Sequence, residues 1–395
     1  YGTIRMTDSQ REAIQYFNAC LRLAALLHDT GHAPFSHQFE TAAPIHSMLA
    51  DPTTINALWP QDSWRQYYKN IPEQLTHEHY SVWCADRILR DTLQADAAPD
   101  LEIEDIIGLF ETTNCAPTAK FMTYSKALLP LFLRPGADMS KLSEVSLAAE
   151  IQRLFRTLIS GELDVDKMDY LLRDSFFSGC RYGIYNLDHL LSTLRVGFDL
   201  EHEWFGLAIT QKGLGPLEDF VNARFQLYLQ LYSHKTVVGF KWLLSQAIGE
   251  VVAEPPHKIA VQTALTTHTD FALFTDAYFW EAFRAHSRNR PQSACDRLIR
   301  RKRLQYLKSD RDLGDLKKKQ ETTKLLKAGH KVAMWESEAK FSKISGTYEH
   351  LKLLIENRAT GVREIDDIKR HSTFFEKFRN TVITHFFKNP LDGGS

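Results

Sequence analysis

Apolar residues recur at helical spacing along most of this chain. Between Ala13 and Leu27 they include Ile14, Phe17, Leu21, Ala25 and Leu26, three or four apart in the main, which places them on one side of an α-helix. The same period runs through Glu78–Leu89, Leu147–Leu158, Val165–Phe177, Leu187–Val196, Gly215–Leu231 and Val237–Val252. Strand signals are few: Trp204–Thr210 and, after the Pro255-Pro256 stop, Lys258–Val261. Such a chain buries helix against helix, so the expected fold class is all-α, a mainly helical bundle with a minor β element. Its 395 residues, 44% of them hydrophobic, suffice for a real core. Residues 50–76, rich in Pro, Asp and Trp, read as a loop or lid. The paired prolines mark the clearest boundary, which predicts one unit over 1–254 and a C-terminal helical, partly basic unit over 255–395.

Several classes drop out on composition. No run approaches the roughly 18 apolar residues of a membrane helix, and the opening residues lack a signal-peptide pattern, so a cytoplasmic location is expected. Cys20, Cys84, Cys115, Cys180 and Cys295 are odd in number and form no CxxC pair, which argues against a disulfide framework or a thiolate-rich zinc site. With 48 Lys and Arg against 49 Asp and Glu, the chain is not a globally basic nucleic-acid coat. One stretch, Arg297–Lys331, is locally basic, with Arg300, Arg301, Lys302 and Arg303 followed by Lys317, Lys318 and Lys319. It reads first as a solvated face balanced by Asp310, Asp312 and Asp315, or as a subunit contact, and second as a nucleic-acid patch.

Chemistry concentrates where the first helix ends. Six of the sixteen histidines lie in the first eighty residues, and the densest run is Leu26-Leu27-His28-Asp29-Thr30-Gly31-His32-Ala33-Pro34-Phe35-Ser36-His37. An imidazole and a carboxylate at the end of an apolar helix suit a divalent metal. Adjacent helical residues point about 100° apart, so one ion takes both only near a helix end, where Gly31 and Pro34 place the stop. An isolated His-Asp pair would read as a helix cap; His32 and His37 in the following turn weigh against that. A second cluster spans Ser160 to Asp174: Asp166, Asp169, Tyr170 and Arg173 share one helical face, flanked by Lys167 and Asp174. Alone, this would be an ion-paired solvated face; beside a metal pair it is a source of a third carboxylate ligand.

At these residues the chain resembles the HD-domain phosphohydrolases, specifically the deoxynucleoside triphosphate triphosphohydrolases. The matching segments are His28-Asp29-Thr-Gly-His32-Ala-Pro-Phe-Ser-His37, Thr76-His77-Glu78, Leu163-Asp-Val-Asp166-Lys-Met-Asp-Tyr170 through Asp174, Gly179 through Asp188, and Arg224…Tyr228…Tyr232-Ser233-His234-Lys235. The resemblance implies a metal site at His28, Asp29 and Asp166, holding Mn, Fe, Mg, Zn or Ni. It implies active-site roles for His32, His37 and His77, with Glu40 as the acid beside the proton-relay histidine; His37, oriented by Glu40 three residues on, is the expected general acid, or the base in the reverse sense, with His77 in support. It implies that Lys167, Tyr170, Asp174 and Arg224 hold triphosphate and sugar, with Tyr232 packed on the deoxyribose. Tyr228 and Lys235 complete an expected line of side chains with Arg224 and Tyr232 on one helix face. The implied reaction converts a dNTP, with dGTP among the candidates, to deoxynucleoside and triphosphate.

The family's first metal ligand is a histidine ahead of the HD pair, yet none of the 27 residues before His28 is one. Tyr1-Gly2-Thr3-Ile4 resembles the family's opening strand, so a segment is expected to be missing between Thr7 or Asp8 and Ser9 or Gln10. Two other readings compete: an HD-type nuclease or phosphodiesterase that uses the basic 297–331 stretch on nucleic acid, and a nucleotide-binding scaffold with a degenerate site. The resemblance further implies a homo-oligomer. Phe374, Phe375, Phe378, Phe386 and Phe387 offer apolar surface for it, although each alone reads better as core. It also admits a defence role alongside a partner protein.

Overall fold

The computed structural model describes residues 6–93, 100–132, 144–199, 204–339, 351–356, 363–377, 379–389 and 391. Tyr1-Gly2-Thr3-Ile4 and Phe378 lie outside them. The chain opens on α1 (Asp8–Leu27), fixed at its start by a capping box. Thr7 Oγ1 accepts from Gln10 N at 3.2 Å and Gln10 Oε1 accepts from Thr7 N at 3.0 Å, across the stretch where a missing segment was expected. The buried stripe of α1 is Ala13, Tyr16, Phe17, Cys20, Ala24 and Leu27. It is rotated from the expected one, because Ile14 and Leu26 are exposed, Leu26 by 73%.

Helices α2 (His37–Glu40), α3 (Ala43–Leu49), α4 (Pro52–Leu58) and α5 (His77–Leu93) follow, then α6 (Ile103–Ile107), α7 (Ala119–Phe132), α8 (Glu144–Ser160), α9 (Val165–Ser178) and α10 (Leu187–Thr193). Phe17 packs edge-on against Phe121 of α7 at 4.7 Å and Phe155 of α8 at 5.3 Å, so α1 is walled in by both. Burying such a ring contributes roughly 1.5–3 kcal/mol. The expected loop over 50–76 is instead packed: α4 lies within it, and Trp59, Trp64, Tyr67 and Tyr68 are buried, with Trp59 against Trp64 at 4.7 Å.

Next come β1 (Leu194–Asp199), β2 (Trp204–Thr210), α11 (Leu214–Leu227), α12 (Lys235–Val252), α13 (Pro255–Ala264), α14 (His268–Leu273), α15 (Asp276–Asn289) and α16 (Ala294–Ile299). The strand at Trp204–Thr210 forms as expected. Lys258–Val261 does not; it lies inside α13, where Pro255 and Pro256 occupy the first turn and have no N–H that the helix needs. The C-terminal elements are β3 (Gln305–Arg311), α17 (Asp315–Lys327), β4 (Val332–Ala339), β5 (Leu351–Glu356), β6 (Arg363–Asp367), α18 (Thr373–Lys377) and β7 (Thr381–Lys388). The fold is mainly helical, with two sheets. One has the order β1-β2-β5-β6, in which β2 and β5 are parallel (Leu207 opposite Leu351) and the outer pairs antiparallel. The other has β7 between β3 and β4, both antiparallel to it.

Phe375, Phe386 and Phe387 are core residues, as the reading of each alone expected. In the basic stretch, α17 has no buried residue. Lys308 Nζ pairs with Asp310 at 2.6 Å and Glu321 at 2.8 Å, and Lys318 Nζ with Glu336 at 2.8 Å and Asp315 at 3.2 Å. Two of its lysines are thus matched by local carboxylates. Helix α12 packs on α2 and α3 and also on α13, α15 and α16, so its contacts span the proline boundary.

Candidate active site

Helix α1 stops at His28, whose N–H still bonds Ala24 O at 2.9 Å. The His28 Nδ1 atom lies 2.9 Å from Ala25 O. A carbonyl only accepts, so Nδ1 carries a ring hydrogen and Nε2 is left facing Asp29 Oδ1 at 3.5 Å, the nitrogen that a metal would use. The chain then turns through Gly31, where there is no room for a side chain: a Cβ would sit 2.1 Å from Ser81 N and 2.2 Å from His77 O. Gly31 N donates to Ser81 Oγ at 3.0 Å, which seats this turn on the start of α5. Phe35 and Ser36 follow with φ of 62° and 54°, a left-handed pair that swings His37 back toward the turn.

The third acid arrives from α9. Asp164 caps that helix by accepting from Lys167 N at 2.7 Å, which puts Asp166 in its first turn. Gly179, at φ 70°, closes its far end in the left-handed region. Donor atoms of His28, Asp29 and Asp166 all lie within 4.8 Å of one another. Burial, then the charges of Asp164 and Asp29, pushes the Asp166 carboxyl above its ordinary pKa. One imidazole lone pair and two mutually repelling carboxylates form a donor set that a divalent cation relieves, so these residues fit the metal.

Three more imidazoles meet beside them. His32 stacks on His77 with centroids 4.1 Å apart and planes at 9°, and His37 stands edge-on to both, at 4.9 and 4.7 Å. His32 Nδ1 is 3.1 Å from Ser36 Oγ. Burial, then the neighbouring His77, lowers the His32 pKa to about 4, which keeps it neutral. Glu40 was expected to orient His37. It instead accepts from His77 N at 2.9 Å and lies 3.1 Å from His77 Nδ1, because short α2 points its C-terminal end at the first turn of α5. Burial opposes a charged His77, but the Glu40 hydrogen bond and the Glu78, Glu40 and Asp29 charges outweigh it and raise its pKa.

His28, Asp29, Asp166 and the three imidazoles line a cavity of about 430 Å³ that also holds Lys167, Tyr170, Arg224 and Tyr228. Lys167 is buried and paired with Asp164, with Gly161 O at 2.8 Å, so its charge is fixed in the wall. Arg224 lies 5.3 Å above the Tyr228 ring and shares a hydrogen bond with Tyr170. Tyr232 donates to Asp174 and packs edge-on to Tyr228 at 5.0 Å, adjoining this wall without lining the cavity. Asp169 and Arg173 form an exposed ion pair at 2.8 Å, the solvated-face arrangement.

Lys235 is not brought to the site. The chain widens into a π-helical turn at Tyr228–Tyr232 and breaks at Ser233 before α12 begins, so Arg224, Tyr228, Tyr232 and Lys235 do not share one helix face. The Lys235 ammonium rests 4.6 Å over Tyr306, in a second cavity of about 210 Å³ with Arg303. Sequence reasoning missed Glu111, Asp164 and Ser160. Glu111 lies between α6 and α7, held by Ser160 Oγ at 2.9 Å, and carries no motif signal. Among the lining residues, five carboxylates (Asp29, Glu78, Glu111, Asp164, Asp166) face two permanent cations (Lys167, Arg224).

Residues 5–56 match the HD domain family, a span that contains His28, Asp29, His32, His37 and Glu40. The chain is 24% identical to the uncharacterized protein YwfO of Bacillus subtilis over 78% of its own length and 55% of that protein's. It is 25% identical to deoxynucleoside triphosphate triphosphohydrolase SAMHD1 of Bos taurus, over 66% of this chain and 40% of that one. It thus spans about half the length of these curated relatives or less. In fold it is similar to a hypothetical protein from Aquifex aeolicus, with a TM-score of 0.55 and 22% identity over 96% of this chain and 79% of that one.

Proposed function

We propose that this HD-domain chain is a metal-dependent phosphohydrolase that converts deoxynucleoside triphosphates to deoxynucleoside and triphosphate. The observation that carries the reading is the meeting of the adjacent pair His28 and Asp29 with Asp166, distant from them in sequence, with donor atoms within 4.8 Å of one another. The relationship to a protein named for dNTP triphosphohydrolysis supports the choice of substrate.

A divalent cation held by His28, Asp29 and Asp166 would supply Lewis acidity and a water of lowered pKa. The chain's own groups do the rest. Arg224, held by Tyr170 and Tyr228, presents a guanidinium fork suited to phosphate oxygens, and Lys167 adds a fixed charge. Tyr228 offers an aromatic face in the cavity for the sugar, backed edge-on by Tyr232, which its bond to Asp174 orients. Cleavage of the bond between the α-phosphorus and the sugar oxygen leaves the water oxygen on triphosphate and requires a proton at the sugar oxygen. His77, fixed at Nδ1 by Glu40 and with its pKa raised, holds that proton, and His37 beside it relays it.

Incubation of the purified protein with each dNTP and Mn or Mg, with products resolved by chromatography, tests the reading. Deoxynucleoside plus triphosphate is expected, lost in Asp166→Asn. Monophosphate plus pyrophosphate would assign another phosphohydrolase class. Intact dNTP with a cut oligonucleotide would favour a nuclease, and bound but unturned nucleotide a scaffold.

A further inference from the structure

Away from the cavity, three helices converge on a second set of metal-type donors. Glu250 comes from the end of α12, His286 from the last turn of α15 and Cys295 from the first turn of α16. One donor atom from each lies within 4.8 Å of the other two. The His286 side chain is 3% exposed, and Cys295 is wholly buried.

The hydrogen-bond inventory at His286 is incomplete in an informative way. Its Nδ1 lies 2.9 Å from Glu254 Oε1, and a carboxylate only accepts, so Nδ1 carries the hydrogen. Its buried Nε2 has no hydrogen-bond partner among the described residues and faces Glu250 Oε2 at 3.7 Å; in the neutral tautomer it offers a lone pair to a cation. A buried imidazole nitrogen left without a partner beside the half-buried Glu250 carboxylate is a costly arrangement, and a cation between them removes the cost. Glu254 behind His286 is the outer carboxylate that typically orients a metal-bound imidazole. Glu250 also accepts from Ala294 N at 2.9 Å and Cys295 N at 3.1 Å. A carboxylate offers about four lone-pair sites, so it retains capacity for a metal bond.

We propose that Glu250, His286 and Cys295 form a second divalent-cation site, of the zinc class, that ties α12, α15 and α16 together. One nitrogen, one sulfur and one carboxylate oxygen make a borderline-soft set that favours zinc over magnesium or calcium. Donors on one tetrahedral zinc ion, at bonds of about 2.0–2.3 Å, stand roughly 3.3–3.6 Å apart, so donors within 4.8 Å of one another need to close by about 1 Å. Binding exchanges the Cys295 S–H for a sulfur–metal bond made with the same electron pair; the proton leaves to solvent and no oxidation state changes. None of the three residues lines the catalytic cavity, so the site stands apart from the proposed reaction. No CxxC pair announces it, because its ligands are assembled by packing.

Cobalt tests this on the full chain. Metal-stripped protein titrated with Co²⁺ should develop the near-ultraviolet thiolate-to-cobalt charge-transfer band at one equivalent, in wild type and in Asp166→Asn alike. Cys295→Ser should lack the band and lose one zinc per chain by elemental analysis, and Glu254→Gln should weaken binding about tenfold. A wild-type titration without the band overturns the proposal and requires no variant to fold. A band that survives Cys295→Ser overturns it as well.

Discussion

Glu40 reaches past His37, three residues before it, to the backbone and ring of His77, on another helix. A carboxylate there favours the imidazolium, so His77 stays protonated to higher pH than an ordinary imidazole. If His77 acts as the acid, the alkaline fall of the pH–rate profile reports its loss of a proton. Glu40→Gln keeps the shape and removes the charge, so that fall should move to lower pH by about one unit. An alkaline limb identical to wild type would remove His77 from the role. Contiguity made the first part of the site legible: His28, Asp29, His32 and His37 lie in one short segment, and Asp166 was found through its helical face. The true partner of Glu40 was not legible, since spacing within one helix suggested His37 and only tertiary packing brings in His77. Glu111 had no local signal at all, because its place depends on where the segment between α6 and α7 lies against α8.

At the scale of elements, the turn after α15 is organised by one acid. Asp296 accepts from Ser287 Oγ at 3.0 Å, Gln292 N at 3.2 Å, Arg300 Nε at 2.5 Å and Lys302 Nζ at 3.2 Å, although its side chain is only 2% exposed. Burial alone would raise its pKa; the four donors overcome this and hold it well below the usual carboxylate value. A lowered folded-state pKa contributes stability that is complete above the unfolded value of about 3.9 and is lost as pH falls through the folded one. Asp296→Ala should therefore destabilise the fold by about 2 kcal/mol at neutral pH, read as a lower Tm, with the difference from wild type shrinking in strong acid. A constant difference down to the lowest pH would refute the assignment. The π-helical turn at Tyr228–Tyr232 belongs to this scale too. An uninterrupted helix would have carried Lys235 round to the face of Arg224, and no apolar pattern betrays one wider turn.

Across the whole molecule, the helical frame was legible because half-buried helices repeat their apolar residues visibly, as α5, α8, α9 and α12 do. The two sheets were largely hidden. Strand β3 is mostly solvent-facing, and β6, written Arg-Glu-Ile-Asp-Asp, has one apolar residue in five, so neither shows a legible alternation. Strand β7 is buried from Ile383 to Phe387 by its central position, and this stretch, with Thr384 and His385 within it, shows no alternation that marks a strand. The cavity's five carboxylates against two cations have a further consequence at this scale, an order of loading. A bare polyphosphate meets repulsion, whereas a divalent ion entering first cuts the local excess of negative charge from three to one. Titration calorimetry with a non-hydrolysable dNTP analogue should accordingly give at least tenfold tighter binding to manganese-loaded than to chelator-treated protein, and equal affinities would refute the order. In a cell short of such ions, a vestibule of this kind would discriminate by ionic escort, admitting nucleotides only in proportion to the free metal around them.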